Sequence, residues 1–283
     1  MQPQLDNKVL QSVFQWFDHT LLQDGQAFEN KTGTLYEQLD GKIDTSLFKY
    51  ASPHKQWVVD SSVSGAIIAT GIDANGTPIP FDNNLFADWN NGRVISTSDL
   101  GDNLSAAYAT KNFNTYITND SEEKLLFQNR YAINDFYTLP ASGIAPYQLA
   151  APACFLTFNS TDSKAYAMGS SDFQQKNLKV RAIVMTNNTF HLDGALSIFG
   201  DKQDKNIPVL DLSDDQFNRY GGLKSSYSGV YRYTDFLSQT DRDKIYIDKV
   251  ITSKFFAGSH ELMPQGMQIG FVNFNLTYFR SPQ

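Results

Sequence analysis

The stretch from Met267 to Phe279, MQIGFVNFNLTYF, constrains the fold of this chain more than any other feature. Over its second part the side chains alternate between two sets, namely Phe271, Asn273, Asn275 and Thr277 against Val272, Phe274, Leu276 and Tyr278. Such alternation is typical of a strand that buries one face and keeps the other polar. Because so long a strand must be paired or covered to avoid aggregation, the pattern predicts a sheet and favours assembly with neighbours.

Short apolar runs separated by Gly and Asn turns recur between residues 48 and 118. The sequence Asn75-Gly76 lies between two such runs and predicts a hairpin, because both residues accept a positive φ. Further strands are expected at 179–185, 188–198 and 244–251. Aromatic residues make up 13% of the chain, which favours strands over helical bundles. The predicted fold is therefore mainly β, antiparallel and β-sandwich-like, with an N-terminal amphipathic helix.

That helix is predicted from about residue 4 to residue 22. Apolar residues recur there every three to four positions, namely Leu5, Val9, Leu10, Val13, Phe14, Phe17 and Leu21. Gly25 supplies the stop. The apolar face has two interpretations: it covers an open side of the β body, or it docks on a neighbouring subunit, since terminal helices are readily exchanged between protomers.

Residues 26–47 are polar and lack periodicity, so they predict an irregular arm with one short strand at 34–36. Three parts follow from these patterns. Residues 1–47 form the helix and extended arm, 48–131 a β-sandwich-like part, and 132–283 a second β-rich part that is separate or shares one core with the first. Prolines between 137 and 152 predict a surface loop at 137–151.

Charge and composition exclude several classes of function. The formal net charge is -7 and no basic run occurs, so no nucleic-acid partner is expected. No apolar stretch is long enough for a membrane span, and the N-terminal sequence MQPQLDNK predicts synthesis in a cytoplasm. The single cysteine, Cys154, excludes an intramolecular disulfide and a thiolate metal cluster, and its apolar neighbours predict burial.

No residue pattern predicts catalysis, a metal site or a cofactor. The four histidines are dispersed, and the zinc-helix beginning His260-Glu261 is followed by Pro264, which supplies no ligand. The carboxylate pairs Glu122-Glu123 and Asp214-Asp215 would suit a glycosidase only if two carboxyls faced each other across a sugar-sized gap. Solvated surface charge explains them more simply, so the chain is predicted not to be an enzyme.

Aromatic and apolar side chains supply the candidate functional residues. Within the stretch 48–72, Trp57 is the expected anchor of the arm, and residues 225–233 form a Tyr-rich loop. Because Tyr and Trp are enriched at interfaces, the predicted subunit-interface residues are Leu5, Val9, Val13, Phe14, Phe17, Trp57, Tyr227, Tyr231 and Tyr233. The alternative is a carbohydrate-binding module whose exposed tyrosines stack against sugars.

Several segments together resemble a family of virion structural proteins from tailed bacteriophages. They are FDHTLLQDGQAFEN at 17–30, YASPHKQWVVDSSVSGA at 50–66, NNGRV at 90–94, AAYATKNFNTYITNDSEEKLLF at 106–127 and LDGALSIFGD at 192–201. The resemblance covers most of the chain and carries no catalytic motif. It implies a capsid, neck or tail component of a virion, present in symmetric rings or in many copies, with no enzymatic role. Among these positions the head-to-tail junction or the upper tail is preferred, and the expected partners are further copies and other virion proteins.

Overall fold

The computed structural model describes residues 5–38, 46–128, 132–133, 149–167, 173–218, 220–255 and 267–280. Within these ranges the protein is mainly β, with antiparallel sheets and an N-terminal helix, which confirms the predicted fold class. The helices are α1 (Leu5–Asp24), α2 (Thr189–Gly200) and α3 (Thr234–Leu237). Shorter helical turns occupy Lys124–Gln128, Leu212–Asp214 and Ser225–Tyr227.

The first sheet has seven strands from the N-terminal part of the chain. They are β1 (Phe28–Glu37), β2 (Phe48–Ala51), β3 (Gly71–Ala74), β4 (Thr77–Pro80), β5 (Leu85–Asp88), β6 (Arg93–Ser96) and β7 (Leu104–Lys111). Their order is β4-β3-β7-β1-β2-β6-β5, and every pairing is antiparallel. The predicted hairpin at Asn75-Gly76 is confirmed, since it joins β3 to β4 with φ values of 53° and 83°.

The second sheet has six strands, four of which are 12 or 13 residues long. They are β8 (Asn114–Ile117), β11 (Ala153–Ala165), β12 (Gln174–Thr186), β13 (Asn206–Pro208), β14 (Lys244–Phe255) and β15 (Gln268–Arg280), while β9 (Ala132–Ile133) and β10 (Ala150–Ala151) form a separate pair. The order in the six-stranded sheet is β13-β14-β15-β12-β11-β8; within it β8 pairs parallel to β11 and the other described pairings are antiparallel, while β9 and β10 pair parallel to each other. The predicted C-terminal strand is confirmed as β15, which β14 and β12 pair on its two sides.

The alternation along β15 divides the second sheet into two faces. Val272, Phe274 and Leu276 are buried on the side that carries α1 and α2, which we call the helix face. Phe17 of α1 stacks on Phe199 of α2 with ring centroids 4.0 Å apart, and both rings meet Phe274 edge-on. The helices and β15 thus form one hydrophobic cluster, to which residues of 1–47, 48–131 and 132–283 all contribute.

Residues 188–198 form a helix, so the prediction of a strand there was wrong. Asn188 caps α2, because its side chain accepts a hydrogen bond from the Phe190 backbone N–H. The buried residues of α2 itself recur at helical spacing; they are Leu192, Ala195, Leu196 and Phe199. Gly270 of β15 permits the close approach, since a Cβ there would lie 2.9 Å from Leu192 Cδ1.

The polar stretch after α1 is also more regular than predicted. A strand was expected at 34–36, but β1 begins at Phe28 and pairs with β7 from Phe28 to Leu35. Its residues are mostly exposed, with only Leu35 on the buried side among the paired residues. This stretch is therefore a strand because its backbone pairs with β7, although its sequence has no apolar pattern. The rest of the predicted arm, from 39 to 45, lies outside the described residues, as does 137–148 of the predicted surface loop.

Candidate functional site

The segment Ser52–Asp60 runs through the interior of the protein and carries Trp57. The Trp57 ring is 1% exposed and stacks on Tyr108 with centroids 4.3 Å apart. A second indole, Trp89, meets it edge-on at 6.3 Å, and the Trp57 Nε1–H donates to Ser52 Oγ at 3.0 Å. Trp57 therefore anchors this segment to strands of its own chain.

Polar side chains beside Trp57 are buried as well. His54 Nδ1 lies 2.9 Å from the Tyr108 hydroxyl, and burial, aided by the positive charge of Lys31, lowers the pKa of His54 to about 4. Burial also lowers the pKa of Lys55 to about 8, while the nearby Asp88 carboxylate acts in the opposite direction. His54 is thus held neutral inside the β body at neutral pH.

A second buried polar group fastens α1 to the β body. His19 Nδ1 lies 2.7 Å from Asp60 Oδ2, and the Tyr231 hydroxyl donates to Gln15 Oε1 at 2.8 Å. Burial disfavours charge on Asp60, yet hydrogen bonds from His19 and Ser62 outweigh it and hold the Asp60 pKa below its usual value.

The His19–Asp60 pair resembles part of a catalytic triad, but the described hydrogen bonds around it link separate segments of the chain. A triad needs a nucleophile hydrogen-bonded to the second ring nitrogen of the histidine. The nearby hydroxyl, Ser62 Oγ, instead donates to Asp60 Oδ1 at 2.6 Å. The Tyr233 backbone N–H donates to the same oxygen at 3.1 Å. Asp60 therefore connects α1, its own loop and the segment around Tyr233.

The predicted interface residues of α1 lie against their own chain. Val9, Val13 and Phe17 are fully buried, while Leu5 and Phe14 are partly buried and pack on the same cluster. This packing favours the first interpretation of the apolar face, in which the helix covers the β body. A contact between these side chains and another subunit would require α1 to leave its own sheet, and it stays a prediction.

The Tyr-rich loop does not present all its rings to solvent. Tyr231 and Tyr233 are 3% and 1% exposed, and burial raises the pKa of both. Tyr227 is partly buried, and its hydroxyl donates to the Asp214 carbonyl at 2.6 Å. The carbohydrate-binding alternative requires exposed rings around a groove, whereas two of these three rings pack inside the chain.

Three of the four carboxylates considered for a glycosidase are paired with a cation. Glu122 contacts Arg181, Asp214 contacts Arg242 at 2.6 Å, and Asp215 lies 3.8 Å from Lys224. Within the described ranges, no group of three or more His, Cys, Asp or Glu side chains could hold a metal ion. Cys154 is buried, and burial raises the pKa of its thiol.

At each margin of the second sheet a short outer strand covers only part of the longer strand beside it. β8 pairs only with Ala153–Leu156 of β11, and β13 pairs only with Lys244–Tyr246 of β14. In the part of the chain that the structure describes, no strand lies beside residues 157–165 or 248–255. We call these two stretches the β11 edge and the β14 edge.

Exposed aromatic rings lie beside the β11 edge, next to the end of β11 and the start of β12. Tyr166 and Phe279 meet edge-on with centroids 5.5 Å apart, and they are 64% and 53% exposed. Phe173, immediately before β12, is 51% exposed. We call these three residues the aromatic end of the sheet. Exposed rings of this size are typical of contact surfaces.

Sequence reasoning missed both the β11 edge and the aromatic end. The apolar run from Ala153 to Phe158 was a usable signal, because its length suits a buried strand. The remainder of β11, from Asn159 to Ala165, is polar and exposed, so nothing in its own composition predicted a strand.

Comparisons with protein-family models and with curated proteins find no match to this chain. Among the described residues, no helix combines the length and apolar character required to span a bilayer.

Proposed function

We propose that this protein is a structural component of a tailed-phage virion, at the head-to-tail junction as a neck, tail-completion or upper-tail protein. Its partners are further copies of the same chain, in a ring or in many copies, and other virion proteins. The resemblance of the segments 17–30, 50–66, 90–94, 106–127 and 192–201 supports this placement.

The observation that carries the proposal is the pair of edges on the six-stranded sheet beside which the described residues place no strand. Unpaired N–H and C=O groups on an outer strand are a template for pairing with another chain. The β11 edge and the β14 edge lie on opposite sides of the same sheet. A protein with two such edges can contact two neighbours at once, which suits a closed ring or a lattice.

The aromatic end adds contact area next to one of these edges. The aromatic end supplies large, rigid side chains with few rotatable bonds, namely Tyr166, Phe173 and Phe279. Burying them in a contact therefore costs little conformational entropy. The interior, by contrast, is closed by its own aromatic cluster around Phe17, Phe199 and Phe274. The body is thus a scaffold whose contacts lie at the sheet margins.

Virions of the phage that encodes this chain test the proposal. We expect the protein in purified particles by mass spectrometry, and we expect antibody label at the junction by electron microscopy. When its gene is silenced, full heads and free tails should accumulate. Normal infectious particles that lack the protein would overturn the proposal.

Complementation of the silenced gene tests the contact surface itself. A variant with Tyr166, Phe173 and Phe279 changed to Ser should fold but restore few infectious particles. Phe190→Ser is the matched control, because Phe190 is 86% exposed but lies on α2, away from the aromatic end. Equal rescue by both variants would show that the aromatic end makes no contact in the particle.

A further inference from the structure

The β11 edge has a regular backbone over its outer part. A register shift interrupts the pairing of β11 with β12 between Phe158 and Ser160. From Ser160 to Ala165 the pairing is uninterrupted and faces Lys179 to Gln174. All the β11 residues from Asn159 onward are exposed. This stretch therefore offers a straight, accessible strand to a partner.

One backbone hydrogen bond next to the end of β11 determines which N–H and C=O groups of the β11 edge point away from β12. The Tyr166 N–H donates to the Phe173 carbonyl at 3.0 Å, so these two residues form a hydrogen-bonded pair. In an antiparallel ladder such pairs alternate with non-hydrogen-bonded pairs. The N–H and C=O groups of Asp162 and Lys164 thus point to β12. Those of Thr161, Ser163 and Ala165 point away from the sheet.

The charges on the same stretch are self-complementary. Asp162 and Lys164 are two positions apart, so both side chains lie on the face opposite the helix face. Among the described residues, neither has an ion pair or a hydrogen bond from its side chain. When two copies of this strand run antiparallel about Ser163, Asp162 of each copy lies opposite Lys164 of the other.

We propose that the β11 edge pairs with the same edge of a second copy of this chain, antiparallel and with a two-fold axis at Ser163. The backbone directions fit, because Ser163 then faces Ser163 and Thr161 faces Ala165 as hydrogen-bonded pairs. Asp162 and Lys164 of opposite copies form non-hydrogen-bonded pairs, in which side chains are closest. The two sheets join into one continuous sheet.

The charge pattern selects this register over its neighbours. A two-fold axis on this stretch passes either through a hydrogen-bonded pair, at Thr161, Ser163 or Ala165, or through a non-hydrogen-bonded pair, at Asp162 or Lys164. An axis at Asp162 or at Lys164 places two like charges directly opposite each other, which is destabilising. An axis at Thr161 or at Ala165 moves Asp162 away from Lys164 of the second copy. Only the axis at Ser163 makes both ion pairs, so the contact is specific although the edge is polar.

This contact adds detail to the proposed function. Its role in a virion rests on that proposed function. It supplies one of the copy-to-copy contacts of the assembly and leaves the β14 edge for another neighbour. The dimer itself is a property of the isolated protein, and can be measured without a virion.

Charge reversal tests the contact in the purified full-length chain by analytical ultracentrifugation. Wild-type protein should dimerise, and Asp162→Lys or Lys164→Asp should each raise the dimer Kd about tenfold or more, because two attractive pairs become repulsive. The double variant Asp162→Lys with Lys164→Asp should restore the wild-type Kd. Wild-type protein that stays monomeric at its highest soluble concentration, or single variants with an unchanged Kd, would overturn the proposal.

A cysteine at the axis tests the register. Ser163→Cys should form an intermolecular disulfide under mild oxidation, because facing Cα atoms in a hydrogen-bonded pair lie about 5.5 Å apart, within disulfide range. Thr161→Cys is the matched control, since it is also exposed on β11 but its two copies would lie far from each other. The native Cys154 is buried and does not compete. Equal cross-linking of the two variants would exclude an axis at Ser163.

The outcomes separate this contact from the virion proposal. A dimer that responds to charge reversal in a protein absent from virions refutes the proposed function and keeps the β11 contact. If the protein is present in virions but its association responds neither to charge reversal nor to Ser163→Cys, the proposed function stands and the β11 contact is refuted.

Discussion

His54 makes the stability of this protein sensitive to acid. The ring is 8% exposed and lies beside Tyr108, and its pKa is lowered to about 4, first by burial and then by the charge of Lys31. In the unfolded chain the ring takes up a proton near pH 6.5. Between these two pH values the unfolded state binds a proton that the folded state does not.

The sign and size of the effect follow from this difference. Because the unfolded state binds more protons, the free energy of unfolding falls as the pH drops through 6.5, and the loss is complete below about 4. A tenfold change in proton affinity is worth about 1.4 kcal/mol, so the full loss amounts to roughly 3 kcal/mol. Against a total stability of about 5–15 kcal/mol, this is a large fraction.

Urea denaturation of wild type and His54→Gln between pH 7 and pH 4 measures the effect. Gln cannot titrate, so the stability of wild type relative to His54→Gln should fall by about 2–3 kcal/mol across this range. The other titrating groups are common to both proteins and cancel. His191→Gln is the control, and it should keep the pH dependence of wild type because it retains His54. Parallel loss of stability in wild type and His54→Gln would refute the reasoning.

Two further substitutions test the packing around the same segment. Trp57→Ala removes the stacked partner of Tyr108, and it should lower the free energy of unfolding by about 3–5 kcal/mol in urea and impair particle assembly; an unchanged urea midpoint would show that the anchor is misplaced. Gly92→Ala would place a Cβ 1.8 Å from the His54 carbonyl oxygen at a φ of +60°, so we expect little folded protein by circular dichroism. Gly76→Ala is its control, because it has a φ of +83° but no atom within 4 Å, and should cost only about 1–2 kcal/mol.

The sequence identified the elements whose burial follows a simple period. The apolar spacing of α1 and the alternation of β15 were visible because each element buries one face against the core. The Asn75-Gly76 turn was visible because its backbone angles favour those two residues. The strand predicted at 188–198 failed for a related reason. The buried side chains of α2 repeat at helical spacing after the Asn188 cap. A short apolar run is compatible with either a strand or a helix, and the strand was predicted.

The candidate site was less accessible to sequence reasoning. Trp57 was singled out, and the structure places it at the centre of an aromatic stack. The carbohydrate-binding alternative requires the Tyr-rich loop to lie at the surface, yet Tyr231 and Tyr233 are buried because α1 packs over them and bonds to Tyr231. Exposure depends on what covers a ring, and this information lies in another part of the chain.

What the sequence determined by itself was local: the fold class, the N-terminal helix, the C-terminal strand, and the charges and turns within each segment. Only the tertiary structure decided which strands lie side by side. β1 and the outer half of β11 carry little apolar pattern, and they are strands because β7 and β12 pair with their backbones. Every residue except proline offers the same backbone N–H and C=O groups, so the composition of a strand does not specify which strand it pairs with. The β11 edge and the β14 edge therefore appear only once the strand order is known.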